Sequence, residues 1–381
     1  MALLPIPDTE SQAVSQQLAD LIQQKIKENN GWIDFATFMH MALYTPDFGY
    51  YSGGVTKFGL DGDFVTAPEI SPLFAKTLAL QVAQILATTQ GDILELGAGT
   101  GKLASDLLLE LARLNHLPTQ YFILEVSAHL QKVQRETCQA KLPKTLFDKL
   151  VWLNVLPKAF TGLVLGNEVL DAIPAHILHK TDAGWRERGV SFEADFIWQD
   201  APLAQGNLTE HLPKDLPIGY ITEVNPAASA LVHSLADMLE TGAILLIDYG
   251  FGAVEYYHPQ RNQGTLMCHY QQLAHDNPLT HVGLQDITAH VDFTSIAMLC
   301  EAASMRLSGY ASQAQFLINC GILNTLQQHS PEDAEYIKLA ASAQKLLSPA
   351  EMGDLFKVIA FSKGVEDVLI GFKSGDKSHT L

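Results

Sequence analysis

The stretch DILELGAGTGKLASDLL, residues 92–108, decides the fold of this chain. A short apolar run ends at Leu96, three glycines follow at alternate positions, and a helical pattern begins at once with Lys102. This order predicts a strand, a tight turn and a helix, the opening unit of a parallel sheet. Glycines let the backbone approach a ligand closely, and a helix that begins there presents unpaired N–H groups. The segment therefore predicts a nucleotide-like ligand at the carboxyl edge of the sheet.

Alternating strand and helix patterns continue beyond this turn. They are typical of an α/β fold with a doubly wound, mostly parallel, Rossmann-like sheet. Residues 314–328 are predicted to form one helix and residues 368–372 a last short strand. The other strands are predicted at residues 121–126, 151–155, 163–166, 243–249 and 355–361.

The chain divides into a cap and a main domain in this interpretation. Residues 1–75 are predicted to form a helical N-terminal cap, and residues 76–381 the main domain. Two insertions interrupt the main domain, at about residues 180–222 and 251–290, and the first is predicted to hold a β-ribbon. The second is rich in histidine but lacks the spacing of a metal site, and only its His290 is a candidate base.

Composition excludes several classes of protein. Lys and Arg total 24 against 42 Asp and Glu, a net charge of -18, whereas nucleic-acid binders carry a basic footprint. No apolar run reaches the roughly 20 residues of a membrane span. The four cysteines are scattered, and the N-terminal segment has no basic residue before Lys25. We therefore expect reduced thiols in a cytoplasmic protein that spans no membrane and binds no nucleic acid.

Three ligand classes compete for the glycine turn. A phosphate-binding P-loop would need glycine at position 96 and Ser or Thr at position 103, and both residues are leucine. A dinucleotide fold is compatible, because Gly99, Gly101 and Ala104 satisfy the G-x-G-x-x-A pattern. An NAD(P)-dependent oxidoreductase is therefore an alternative.

The third class is S-adenosylmethionine (SAM), with Glu95, Gly97, Gly99 and Gly101 as the binding residues. SAM carries an ammonium and no pyrophosphate, so a carboxylate beside the glycines favours SAM over a dinucleotide. Glu125, at the end of the next strand, can accept both hydroxyls of an adenosine ribose in either class. It could instead cap the helix that follows.

A second cluster lies in LVLGNEVLDAIPAH, residues 163–176, where Asn167, Glu168 and Asp171 follow an apolar strand. Helix capping is the alternative role for Asn167 and Asp171. Glu223 follows in TEVNP, and Asp248 lies at the end of the strand predicted at residues 243–249; such convergent carboxylates suit a guanidinium. Our hypothesis is that Glu168 orients a guanidinium, with Asp171 or Glu223 as a second carboxylate.

The chain resembles the MidA-type methyltransferases, which include a mitochondrial complex I assembly factor that acts on arginine. The resemblance covers nearly the whole chain in the family's order. It rests on the blocks ALYTPDFGYYS, GDFVTAPEISPLF, ILELGAGTGKLASDLL, GNEVLDAIPAH, LLIDYG, GTLMCHYQ, DNPL, DITAHVDFT, QAQFL and MGDLFKVIAFSKG.

The resemblance implies a SAM-dependent protein arginine methyltransferase with an antiparallel last strand. A non-catalytic assembly factor that keeps the fold is a further alternative. The implied partner is a protein with a target arginine, and a homodimer is compatible with the sequence. The implied catalytic residues are Asn167, Glu168 and Asp171, and the implied cofactor residues are Asp63, Thr66, Pro68, Glu69, Glu95, Gly97, Gly99, Gly101 and Glu125.

Overall fold

A computed structural model describes the chain at residues 4–53, 66–203, 206–328, 330 and 332–381. The chain forms two compact units, each built from three separate segments. Unit 1 comprises residues 1–64, 171–230 and 253–290, and unit 2 comprises residues 65–170, 231–252 and 291–381.

Helices occur in both units. The segment predicted as an N-terminal cap contains α1 and α2, and each begins at an aspartate whose side chain accepts backbone N–H groups. The helices are α1 Thr9–Glu28, α2 Phe35–Tyr44, α3 Ala67–Ile70, α4 Pro72–Thr89, α5 Lys102–Arg113, α6 Ala128–Lys141, α7 Lys144–Phe147, α8 Pro226–Met238, α9 Ala253–Tyr256, α10 Phe293–Ala302, α11 Gln313–Asn319, α12 Ile322–Leu326 and α13 Ala334–Leu347.

The strands form one central sheet in unit 2 and two smaller sheets in unit 1. They are β1 Ile33–Asp34, β2 Asp92–Leu96, β3 Tyr121–Leu124, β4 Leu150–Leu153, β5 Phe160–Asn167, β6 His176–Thr181, β7 Gly184–Phe192, β8 Phe196–Pro202, β9 Ile221–Val224, β10 Leu239–Phe251, β11 Met267–Tyr270, β12 Leu273–His275, β13 Asp286–Thr288, β14 Val291–Asp292, β15 Arg306–Ser312 and β16 Phe356–Lys363.

The central sheet has the order β15-β16-β10-β5-β2-β3-β4, and β14 pairs with the end of β10. The strands β10, β5, β2, β3 and β4 are parallel, while β16 is antiparallel to both of its neighbours. The predicted Rossmann-like α/β fold and its antiparallel last strand are therefore confirmed.

Both faces of the central sheet are covered, as a doubly wound fold requires. Along β10, Leu245 and Ile247 belong to the core cluster that contains α4 and α5. The alternate residues Ile244 and Leu246 point to the other face and are at most 1% exposed. A strand that is buried on both faces has a continuous apolar sequence, and this pattern allowed β10 to be predicted from the sequence.

Unit 1 is built from antiparallel strands together with α1, α2 and the short α9, and it includes the first turn of α8. Its five-stranded sheet joins β1, β7, β6 and β9, with β8 paired to β7, and its three-stranded sheet has the order β12-β11-β13. The hairpin of β7 and β8 confirms the predicted β-ribbon. Unit 1 contains the predicted insertion 180–222 and most of 251–290, and its first segment ends at residue 64, whereas the sequence suggested 75.

Two sequence predictions in the C-terminal part were wrong. The helix predicted over 314–328 is two helices, α11 and α12, because Gly321 has a φ of +85° and turns the chain between them. The strand predicted over 368–372 is a 3₁₀ turn at Ile370–Phe372. Among the described residues, no helix combines the length and apolar character needed to cross a bilayer. All four cysteines are buried and free.

Candidate active site

The glycine turn follows β2 at the carboxyl edge of the central sheet. Gly97, Gly99 and Gly101 have φ values of +57°, +54° and +81°, in the left-handed region that favours glycine. A Cβ atom on Gly99 would meet no heavy atom within 4 Å, so open space lies beside this backbone. The next helix, α5, begins directly after the turn at Lys102. The turn therefore offers a ligand both close backbone approach and the N–H groups of a helix start.

Glu95 lies inside β2, one residue before the end of the strand, and is 2% exposed. Burial raises the pKa of its carboxyl to about 7, the hydrogen bond from Tyr121 acts in the opposite direction, and the nearby charge of Glu125 adds to the rise. The Tyr121 hydroxyl donates to Glu95 Oε2 at 2.8 Å. A buried acid with a strongly shifted pKa beside a ligand turn is typical of a functional site. An ammonium placed nearby would stabilise its ionised form.

Glu125 follows β3 and is 6% exposed. Its Oε1 accepts the N–H of Ser127 at 2.9 Å, and its Oε2 accepts from Gln134 Nε2 at 2.8 Å. The cap of α6 is Ser127, whose Oγ accepts the N–H of Leu130 at 3.2 Å. The capping alternative for Glu125 was therefore wrong. Since each carboxylate oxygen has two lone pairs, each can still accept a ribose hydroxyl.

Two exposed valines lie just beyond the ends of β3 and β4. Val126 and Val155 are 79% and 75% exposed, and each lies two residues beyond the paired strand ends Leu124 and Leu153. Exposed apolar side chains at a strand edge offer contact surface to the flat face of a purine. Sequence reasoning missed both residues, because a single valine after a strand carries no distinguishing pattern.

The resemblance implies a cofactor motif at residues 63–69, and the structure places its Thr66, Pro68 and Glu69 in α3 and its N-cap. Thr66 is the N-cap, and Pro68 is buried in the first turn. Glu69 Oε1 accepts the hydroxyl of Thr100 at 2.5 Å, so this carboxylate contacts the glycine turn directly. Asp63, the fourth predicted residue of this motif, lies outside the described residues.

The turn after β5 carries Glu168 in a strained conformation. Its φ of +55° lies in a region that non-glycine residues rarely occupy. The turn is held from β10: Glu168 N donates to the carbonyl of Ile247 at 2.8 Å. The backbone N–H groups of Val169 and Leu170 donate to Asp248 Oδ2 at 3.1 and 2.8 Å. Within the described stretch 66–203, residues 168–175 form no helix, so the capping alternative for Asn167 and Asp171 was wrong.

Asn167 ends β5 and contacts Glu168 through its amide. Asn167 Nδ2 donates to Glu168 Oε1 at 3.0 Å. An ionised carboxylate only accepts hydrogen bonds, so the amide nitrogen must face it and the carbonyl oxygen must point away. Among the described residues, the buried Asn167 Oδ1 has no hydrogen-bond partner. Such an acceptor is available to a donor from a bound ligand or from water.

Comparison with known proteins identifies the family of this site. The sequence profile of the family described as "Putative S-adenosyl-L-methionine-dependent methyltransferase" matches residues 77–311. The chain belongs to this family. The match spans the glycine turn, Glu95 in β2, Glu125 after β3, and the turn after β5. SAM is therefore the cofactor of this methyltransferase, and the NAD(P)-dependent oxidoreductase alternative is set aside.

Relatives of this methyltransferase support the same conclusion. A Burkholderia thailandensis structure, described as a candidate methyl transferase bound to S-adenosyl-homocysteine (SAH), is 47% identical; the match covers 100% of both chains with a TM-score of 0.96. The Caenorhabditis elegans protein named "Protein arginine methyltransferase NDUFAF7 homolog, mitochondrial" is 28% identical over 96% of this chain and 91% of its own. The Danio rerio protein "Protein arginine methyltransferase NDUFAF7, mitochondrial" is 29% identical over 86% and 82%.

The remaining predicted residues of the methyltransferase belong to unit 1. Asp171 is 3% exposed, and its charge contributes to a rise in the pKa of Tyr51 that comes mainly from burial and then from Asp286. Glu223 accepts the N–H of Thr265 at 3.0 and 2.9 Å and its hydroxyl at 2.9 Å. These bonds give Glu223 a structural role in fixing a loop. The Nδ1 atom of His290 lies 3.0 Å from the carbonyl of the same threonine.

Proposed function

We propose that this methyltransferase transfers the methyl group of SAM to an arginine side chain of a protein. The observation that carries the proposal is a pair of hydrogen-bond acceptors at the end of β5. One is the Oδ1 atom of Asn167, which has no partner among the described residues, and the other is the carboxylate of Glu168. A guanidinium presents five N–H donors in one plane and carries a positive charge, so it complements these acceptors. The printed names of the curated relatives agree with an arginine acceptor.

SAM supplies a methyl group already activated by the sulfonium. The acceptor nitrogen attacks the methyl carbon as the bond from carbon to sulfur breaks, and the methylated guanidinium then loses one proton. Glu168 has two roles in this scheme. Its carboxylate attracts the positive charge towards one guanidinium nitrogen, which leaves another more nucleophilic, and it receives the released proton. Asn167 Oδ1 accepts an N–H and fixes the plane of the guanidinium, because methyl transfer needs alignment of donor and acceptor.

The test is product analysis. The purified protein is incubated with SAM carrying a radiolabelled methyl group and with a cell extract, and the labelled proteins are hydrolysed to amino acids. We expect the label in methylarginine. Label in methyllysine or in a base-labile methyl ester would overturn the arginine assignment, and absence of labelled protein would favour the non-catalytic assembly factor.

The cytoplasmic location stays a prediction from sequence.

A further inference from the structure

Gln134 is a fully buried polar residue of α6 that no sequence motif singled out. Its side-chain amide makes three hydrogen bonds to three different parts of the cofactor edge. Nε2 donates to Glu125 Oε2 at 2.8 Å and to the carbonyl of Gly99 at 3.1 Å. Oε1 accepts from the indole Nε1 of Trp152, on β4, at 3.1 Å. One side chain therefore joins the glycine turn, the end of β3 and β4.

The orientation of this amide is fixed by its partners. An indole N–H is a donor only, so the oxygen of Gln134 must face Trp152. A carbonyl and a carboxylate are acceptors, so the nitrogen must face Gly99 and Glu125. A flipped amide would place its oxygen against two acceptors and its nitrogen against a donor, and would lose all three bonds. Gln134 is thus held in one orientation.

This orientation controls what Glu125 can do. The Ser127 N–H binds one carboxylate oxygen and Gln134 binds the other, so the plane of the carboxylate is set and its remaining lone pairs point in fixed directions. Both bonds also favour the ionised form of a group whose pKa burial raises. Without Gln134, Glu125 would be a freer and more easily protonated acid.

The helix and the glycine turn are in close contact at the same place. A Cβ atom on Gly101 would lie 3.0 Å from the Cα of Gln134. The backbone of the turn therefore packs directly on the backbone that carries Gln134. Any shift of α6 would move the turn and the ribose carboxylate together.

We propose that Gln134 is a positioning residue for the cofactor, which fixes the Glu125 carboxylate as an acceptor for the two ribose hydroxyls and ties it to the glycine turn. The proposal rests on Glu125 binding the ribose. Wild-type protein is therefore measured first: it should bind SAH more tightly than a SAH analogue that lacks the 2′ and 3′ hydroxyls. Equal binding of the two would reject the role of Glu125, and with it the proposal.

The decisive variant is Gln134→Met, which keeps the length of the side chain and removes its hydrogen bonds. Calorimetry should show SAH affinity reduced roughly 10- to 100-fold, as expected for one hydrogen bond to a charged group. Affinity for the dideoxy analogue should change less than about threefold, because that ligand has no ribose hydroxyls to donate to Glu125. Equal losses for both ligands, or no loss for SAH, would overturn the proposal. Gln139→Met, at an exposed position of the same helix, is the matched control.

Two further variants keep the proposal testable if Gln134→Met fails to fold. Gln134→Glu has the same shape but places a second carboxylate against Glu125, so its SAH affinity should fall further as pH rises. Trp152→Phe removes the indole N–H that orients the amide while an aromatic ring remains. Its SAH affinity should fall less than that of Gln134→Met, and its affinity for the dideoxy analogue should again change little. A Trp152→Phe protein that weakens both ligands equally would contradict a positioning role.

Discussion

The turns after β2 and β5 lie side by side. One residue in each turn has nearly the same positive φ angle, but it is a glycine in the first turn and a glutamate in the second. Leu96 and Gly166, at the ends of these two parallel strands, are paired in the sheet. Gly99 has a φ of +54° and Glu168 a φ of +55°. Glycine adopts this angle freely, whereas a residue with a Cβ loses roughly 1–2 kcal/mol there.

The difference follows from what each turn presents to its ligand. The turn after β2 presents backbone, so the residue without a side chain is the one that fits. In the mechanism that we propose, the turn after β5 presents a carboxylate, which accounts for a strained glutamate at this position. Strained residues persist only where their surroundings hold them. Here the holding groups are the carbonyl of Ile247 and the carboxylate of Asp248, both on β10.

The largest expected effect is on catalysis, from Glu168→Gln. This variant keeps the size of the side chain and removes the charge that orients the acceptor and receives the proton. We expect methyl transfer to fall by roughly 100- to 1000-fold, as for loss of one electrostatic group in an active site. SAH affinity, measured by calorimetry, should stay within about threefold of wild type, because the cofactor residues are unchanged. Transfer at the wild-type rate would remove Glu168 from the mechanism.

Gly99→Asp probes the other turn. A Cβ at this position meets no protein atom within 4 Å, so the cost to the fold is limited to the strain of a positive φ, roughly 1–2 kcal/mol. The new side chain would occupy space that the cofactor needs, and SAH affinity should fall at least about tenfold, or 1.4 kcal/mol. Wild-type affinity in a folded Gly99→Asp protein would show that the cofactor does not approach this backbone.

The carboxyl of Glu95, in the strand before the glycine turn, predicts a pH dependence of cofactor binding. Its pKa of about 7 means that it gains a proton as pH falls from 8 to 6. A cofactor ammonium favours the ionised carboxylate, but the α-amino group of SAM, with an ordinary pKa of roughly 7.7–8.0, gains its own proton over the same interval, so SAM affinity should weaken by about fourfold. Calorimetry at several pH values measures this. Methylthioadenosine, which lacks the amino-acid end, serves as the control and should bind equally well throughout, and Glu95→Gln should remove the dependence. A pH-independent SAM affinity in the wild type would argue against contact with Glu95.

The smallest expected effect is on the free energy of unfolding, and it tests whether the two turns differ in backbone strain. Glu168→Gly relieves a positive φ and should raise the free energy of unfolding by about 0.5–1 kcal/mol, while Gly99→Ala should lower it by a similar amount. Urea unfolding followed by circular dichroism measures both. A loss of stability in both variants would mean that the two turns do not differ in strain.

The sequence predicted the glycine turn and its neighbours much better than the contacts of the turn after β5. The glycine turn and its flanking strand and helix are local features, so periodicity and glycine spacing were enough to place Glu95 and Glu125 at its edge. Gln134 escaped notice because a glutamine in a helix is ordinary, and its role arises only where α6 packs on the turn. The contacts of Asp248 with Val169 and Leu170 join residues that are 79 and 78 positions apart, which no local pattern reports.

The position of β16 has a consequence for biosynthesis. This strand fills the gap between β10 and β15, although it is made after both. The 104 residues between Phe251 and Phe356 must emerge from the ribosome before β10 can pair with β16 along its length. At about 5–20 residues per second, an apolar strand edge stays open for roughly 5–20 s in each nascent chain. A chaperone that shields strand edges would act during this interval, and a ribosome that stalls within it would leave an aggregation-prone product.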